Sequence, residues 1–203
     1  MSLHRRTRSR RSGFTLIEMM VAVALLGLVI GNVYMVLGDS SKAFGSQTTV
    51  FEAETQARRT LDRIALAVVG ASRDTLFQTP AAPSSTPELN FTTSQGLQDG
   101  EILEGTPQRI SLATAGGFHQ VTWAENPGTE SERKSVWTKW ASEFLEGETL
   151  NGADDNGNGL IDEKGLNFVL EGSSVLVQLT IARRAADGNW VTRTLEARVT
   201  CRN

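Results

Sequence analysis

The chain has 203 residues, of which 39% are hydrophobic and 21% charged, and its formal net charge is −3. That size suits one membrane anchor with one modest domain, and argues against two full domains or a multi-span bundle. A single cysteine, Cys201, excludes an intramolecular disulfide, and two histidines, His4 and His119, assemble no convincing nucleophile–base pair or zinc cluster.

The net charge conceals an asymmetry. Residues 1–13 hold five arginines (Arg5, Arg6, Arg8, Arg10 and Arg11) and no acid, which leaves 15 basic against 23 acidic residues downstream. Arginine clusters can mark nucleic-acid binding. This one abuts a hydrophobic run, so it reads as a cytoplasmic flank under the positive-inside rule, with no nucleic-acid partner expected.

Phe14 to Leu37 is a run of 24 residues in which the only ionisable acid is Glu18. About 20 helical residues cross a bilayer core, so the run is long enough to span. A cleavable secretory signal fits poorly: the run is too long for one, contains an acid, and leads into "GDSSKAF" rather than a small-residue cleavage site. A plain anchor explains the length and the arginines but not Glu18, because a carboxylate in lipid costs a few kcal/mol and usually pairs or acts. Placement near a helix N-terminus eases that cost.

"GFTLIE", Gly13–Glu18, with a short basic leader before it and an apolar helix after it, resembles the class III signal of type IV pilins and type II secretion pseudopilins. The resemblance covers about the first 37 residues. It implies a membrane prepilin peptidase that cuts between Gly13 and Phe14 and then N-methylates Phe14. It also implies that Glu18 pairs with the new amine, on its own chain or on a neighbouring subunit. Such a pair adds little stability, but leaving either partner alone in lipid is strongly penalised, so wrong axial registers are disfavoured. Glu18 is then an assembly residue and not a catalyst.

No proline occurs before Thr79. Beyond Leu37, Gly38 and Gly45 weaken a helix without forbidding it. In "QTTVFEAETQARRTLDRIALAVVG", Val50, Ala57, Leu61, Ile64, Ala65 and Val68 share a face, and Glu54 with Arg58 forms an i,i+4 pair. A helix from Phe14 to a C-cap at Gly70 is predicted, roughly 85 Å long at about 1.5 Å per residue, with a break near Gly38 or Gly45 allowed. Its apolar stripe needs a sheet to cover it.

Gln78–Glu88 holds three prolines and reads as a loop. Alternation then predicts strands in "LNFTT", "RISLAT" and "FHQVTWAE", with His119 a simple strand residue. Trp137 and Trp140 fit either a short helix or an irregular strand, and core filling is their expected fate over a binding surface. The clearest pair is a hairpin: Val175–Ile181, a turn at Asp187-Gly188, and Val191–Val199. Cys201 is expected to be a small apolar residue at the last strand.

"NGADDNGNGLIDEKG", Asn151 to Gly165, spaces oxygen side chains alternately at Asp154, Asn156 and Asn158. Gly159 follows for a tight turn, Leu160 offers a carbonyl, and Asp162 and Glu163 close the run. Hard cations such as Ca²⁺ take six to eight oxygens at about 2.3–2.6 Å. The segment resembles the first nine positions of an EF-hand-type loop and departs at the twelfth, where Gly165 stands. Asp154, Asn156, Asn158, Leu160, Asp162 and Glu163 are therefore the candidate calcium ligands, with Asp155 inside or outside the set. An Asx-rich turn without metal is the competing reading.

The expected fold is α+β: a long N-terminal hydrophobic helix, as in pilins, packed on an antiparallel sheet. The expected segments are a cleaved leader (1–13), a transmembrane assembly half (14–37), an amphipathic half (38–70) and a periplasmic β-rich domain (71–203). No enzyme is expected. The resemblance implies a structural minor pilin or pseudopilin, stored in the bacterial inner membrane and drawn into a type IV pilus or a type II secretion pseudopilus. A tip or initiating position is favoured by the large ectodomain. "ARRTLDRIALAV" followed by "ELNFTTSQG" is weakly similar to J-type pseudopilins and W-type minor pilins. Partners would be the prepilin peptidase, other pilin subunits, and a secreted cargo or surface ligand. The rival reading is an anchored periplasmic or surface calcium-binding protein that never enters a filament.

Overall fold

The structure, a computed structural model, describes residues 13–76, 84–98, 100–171 and 174–201. The arginine leader before Gly13 and the centre of the proline-rich segment lie outside those residues. Helix α1 is assigned over Leu16–Val69, two residues inside the expected start and one inside the expected end, and Gly38 and Gly45 both have helical backbone. The chain divides into two compact units between Phe44 and Gly45.

In the first unit every residue from Gly13 to Asp39 is exposed, as lipid-facing side chains are in an isolated chain. Asn32 is the one amide in this stretch, and its Nδ2 donates to the Leu28 carbonyl at 2.9 Å. The donor that lipid would leave stranded is thereby satisfied within the helix. Among the described residues, α1 is the one helix long and apolar enough to cross a membrane.

The second unit is the predicted α+β domain. On the second half of α1, Ala53, Ala57, Thr60, Leu61, Ile64 and Val68 are buried, whereas Arg58, Arg59, Asp62 and Arg63 are exposed. That spacing of three and four is one helical face, and it packs on a sheet. The Glu54–Arg58 pair forms at 3.0 Å. A short helix, α2 (Arg73–Leu76), follows, and then, among the described residues, eight strands: β1 (Ser84–Thr86), β2 (Glu88–Gln98), β3 (Glu101–Ala115), β4 (Phe118–Glu125), β5 (Arg133–Ala141), β6 (Leu166–Glu171), β7 (Ser174–Arg184) and β8 (Trp190–Thr200). All pairings are antiparallel, in the order β1-β6-β7-β5-β4-β3-β2, with β8 on the other edge of β7.

Two readings of the sequence need correction. The proline-rich segment 78–88 is not loop throughout: Ser84–Thr86 pairs with Phe168–Leu170 on β6. Proline removes a donor only at its own position, so the residues between Pro83 and Pro87 can still pair on an edge. The β2–β3 hairpin also runs well past "LNFTT" and "RISLAT", through register shifts between Thr92 and Leu97 where Gly96 has φ 120°. Trp137 and Trp140 lie on strand β5. Trp137 is half-buried and stacks on Trp123 at 6.5 Å between ring centroids, and Trp140 lies exposed under the Arg183 guanidinium.

Strand β7 is buried on both faces. Val175, Val177, Leu179 and Ile181 point at the helix and are fully buried. Its opposite face carries Gln178 and Thr180, which are also buried. Gln178 accepts from Asn167 Nδ2 at 3.0 Å and donates to Glu196 at 2.7 Å; Thr180 Oγ1 meets Thr194 Oγ1 at 2.7 Å. Burial of polar groups on that face requires a cover, and the segment from Ser142 to Gly165 provides it.

Candidate functional site

The chemistry-bearing residues fall in two places, one in each unit. In the first unit, Gly13, Phe14 and Thr15 precede the helix without regular structure and are exposed, so the predicted scissile bond is accessible. Thr15 occupies the N-cap of α1 and Glu18 stands three residues on. The Thr15 amide donates to Glu18 Oε2 at 2.9 Å, the Thr15 hydroxyl donates to the same oxygen at 2.8 Å, and the Glu18 amide donates to Thr15 Oγ1 at 3.3 Å. This is a capping box, which satisfies donors that a helix start leaves orphaned. Its sequence signal is Thr-x-x-Glu before an apolar run, "TLIE" at Thr15–Glu18, and it overlaps the leader pattern.

In the second unit, the segment between β5 and β6 closes on itself. At its base Ser142 donates to Thr180, Gly165 to Glu143, and Leu145 to the Glu163 carbonyl, with a bridge between Phe144 and Lys164. Gly165 is required there, because a Cβ would sit 2.1 Å from the Ser142 oxygen. The Glu146 amide then donates to Thr180 Oγ1 at 3.2 Å, which lays the loop over the polar face of β7.

The candidate cation ligands are distributed unevenly within the loop. Asp154 accepts the amides of Gly157, Asn158 and Gly159 at 2.6, 3.2 and 2.7 Å. Asn156 and Asn158 accept the amides of Asn158 and Leu160. Asp162, in the left-handed region at φ 53°, accepts the amides of Asn151 and Gly152 and so ties the two arms of the loop. Asp155 is bound by Thr149 and Asn151, whose hydrogen bonds hold its carboxyl below the ordinary range. Leu160 is half-buried. Among the described residues, no three His, Cys, Asp or Glu side chains already converge as a metal cluster.

Two glutamates are more deeply buried than exposed Asp154 and Asp155 or half-buried Asp162. Glu163, in the candidate set, is 2% exposed, and Glu148, which spacing alone does not single out, is 6% exposed. Glu163 Oε1 accepts from Asn158 Nδ2 at 2.5 Å and Glu148 Oε1 accepts the Asn156 amide at 3.0 Å. The second oxygen of each is buried without a hydrogen-bond partner. Burial pushes the Glu148 carboxyl above its ordinary range, and the charges of Glu163, Asp155 and Asp154 add to the rise against the Asn156 amide. No spacing rule flags Glu148, because it lies six residues before the alternating run.

Of the residues weighed for enzymatic chemistry, His4 lies outside the described residues. His119 is on β4, 3.7 Å from Glu143, and Cys201 is buried just past β8, where its thiol donates to the Ala71 carbonyl. A cleft of about 680 Å³ on the second unit is lined in part by Phe118, His119, Trp140, Arg183 and Trp190.

Residues 8–31 match the family model of the prokaryotic N-terminal methylation motif. That span contains Gly13, Phe14 and Glu18, and the match supports the pilin-like character of the leader and helix start. No curated protein and no solved structure matches the chain.

Proposed function

We propose that this chain is a structural subunit of a type IV pilin-like filament, anchored by α1, cut between Gly13 and Phe14 and methylated on Phe14. The observation that carries this reading is the methylation motif over residues 8–31, placed where an exposed Gly13–Phe14 bond meets a capped apolar helix. Cleavage leaves Phe14 with a free amine and leaves the Thr15 amide in place, so the capping box survives processing. Glu18 can then cap its own helix through Oε2 while its charge stays near the amine of its own or a neighbouring Phe14. Lipid makes the charge worth pairing, because an unpaired carboxylate there costs a few kcal/mol.

Within that family, the reading extends to a minor subunit at a filament tip or in initiation, in a type II secretion pseudopilus or a type IV pilus. A sheet domain beyond the helix, with an appended loop, is larger than lateral packing of helices requires. The domain lies in the periplasm before assembly, opposite the arginine leader. Intact-mass measurement of protein recovered from cells tests the reading: a chain beginning at N-methylated Phe14 is expected. A chain that still carries its arginine leader overturns it.

A further inference from the structure

We propose that Glu148 and Glu163 are carboxylate ligands of one Ca²⁺ ion, completed by side-chain oxygens of Asp154, Asn156 and Asn158. The proposal does not depend on filament assembly. It revises the set expected from spacing by adding Glu148, by leaving out the Leu160 carbonyl and by giving Asp162 the task of tying the arms of the loop.

The argument starts from the two buried carboxylates. Glu148 Oε2 and Glu163 Oε2 lack hydrogen-bond partners, and among the described residues neither glutamate is paired with a Lys, Arg or His. A buried, unpaired carboxylate is among the costlier features a fold can carry, and such groups are neutralised by a proton, a cationic side chain or a metal. The single-oxygen contacts matter as well. Each glutamate spends Oε1 on the same short segment, Glu148 on the Asn156 amide and Glu163 on the Asn158 side chain two residues on, so the two are held against neighbouring positions of the loop.

Those residues supply the remaining donors. Asp154 folds the segment around itself by accepting three successive amides, and Asn156 and Asn158 each accept one more amide two residues on. An oxygen that accepts one hydrogen bond retains a lone pair for a cation. Every donor is oxygen, with no imidazole or thiolate in the loop, which selects a hard cation over zinc or copper. The donors sit on an irregular loop with glycines at 157 and 159 in the left-handed region, at φ 77° and 87°. Ca²⁺ tolerates six to eight ligands in irregular geometry, whereas Mg²⁺ demands a near-octahedral cage. The loop lies on Gln178, Thr194 and Glu196 of β7 and β8, so the ion would fix the cover over the polar face of the sheet.

The test uses the full chain in detergent micelles, stripped with chelator and titrated with Ca²⁺ alone by calorimetry, with thermal melting alongside. One Ca²⁺ per chain and a higher melting temperature are expected. Glu148→Gln and Glu163→Gln should each weaken binding by about tenfold or more. Glu143→Gln, at the Lys164 pair outside the site, should leave affinity unchanged. In chelator, Glu148→Gln should melt no lower than the parent, because it removes an unpaired charge. Should a Gln variant fail to fold, Glu148→Asp or Glu163→Asp takes its place, and a comparable loss supports the site. No Ca²⁺-dependent shift at millimolar ion, or unchanged affinity in the variants, overturns the proposal.

Discussion

The Glu18 carboxylate accepts both donors of Thr15, the amide at 2.9 Å and the hydroxyl at 2.8 Å, so one residue pair closes the start of the apolar helix. The finding gives Glu18 a local task beside the assembly task proposed for it, and substitutions separate the two.

Glu18→Gln keeps a side-chain oxygen for the cap and removes the charge. Processing at Gly13 is expected to persist while incorporation into filaments falls, measured as the sheared-filament fraction against the membrane fraction. Thr15→Val removes the hydroxyl half of the box at about 1 kcal/mol of helix stability and should leave assembly intact. Normal assembly of Glu18→Gln would show that capping, and not charge pairing, is what the acid does.

Ile64 is fully buried on the face of α1 that meets the sheet. Ile64→Ala should cost about 2–5 kcal/mol of unfolding free energy, measured by denaturant titration of the detergent-solubilised chain. Leu66→Ala, on the exposed side of the same helix, is the control and should change little. Equal effects would mean that the helix face is wrongly assigned.

Gly165→Ala should cost about 1–3 kcal/mol, because the new methyl meets the Ser142 carbonyl and must move the base of the loop. The displaced amide is the one that donates to Glu143, and the Gly165 carbonyl accepts from the Thr180 amide. Hydrogen exchange at the Thr180 amide reports the damage directly. Undiminished protection there would count against the proposed closure.

Asp187 accepts the backbone and side-chain donors of Asn189 in the β7–β8 turn, and these bonds hold its carboxyl below the ordinary range. A depressed acid favours the fold above its unfolded pKa, and that contribution is lost as pH falls through the folded value. Asn189→Ala keeps the backbone donor and removes the amide. An NMR carboxyl titration should then show Asp187 moving part of the way back up. No movement would leave the turn amide alone responsible.

The apolar run, the class III leader and the stripe at Ala57, Leu61, Ile64 and Val68 were legible in the sequence, because lipid solubility and one-faced packing are periodic in a chain. The β7–β8 hairpin was legible for the same reason, its alternation and Asp-Gly turn being local. The strand at Ser84–Thr86 was not, since three residues among prolines gain their pairing only from β6. Strand state at Trp137 and Trp140 likewise came from partners on β4 and β7 rather than from their own spacing.

What the sequence by itself determined is the order of segments along the chain: a basic leader with the methylation motif, a helix apolar enough for lipid, an amphipathic continuation and a sheet. Those depend on composition and period, which neighbours in sequence already share. Only the tertiary structure decided that β7 would be buried on both faces, and that Glu148 and Glu163 would be drawn out of water against Asn156 and Asn158. Burial is a property of what the fold places around a side chain, and no local pattern records it.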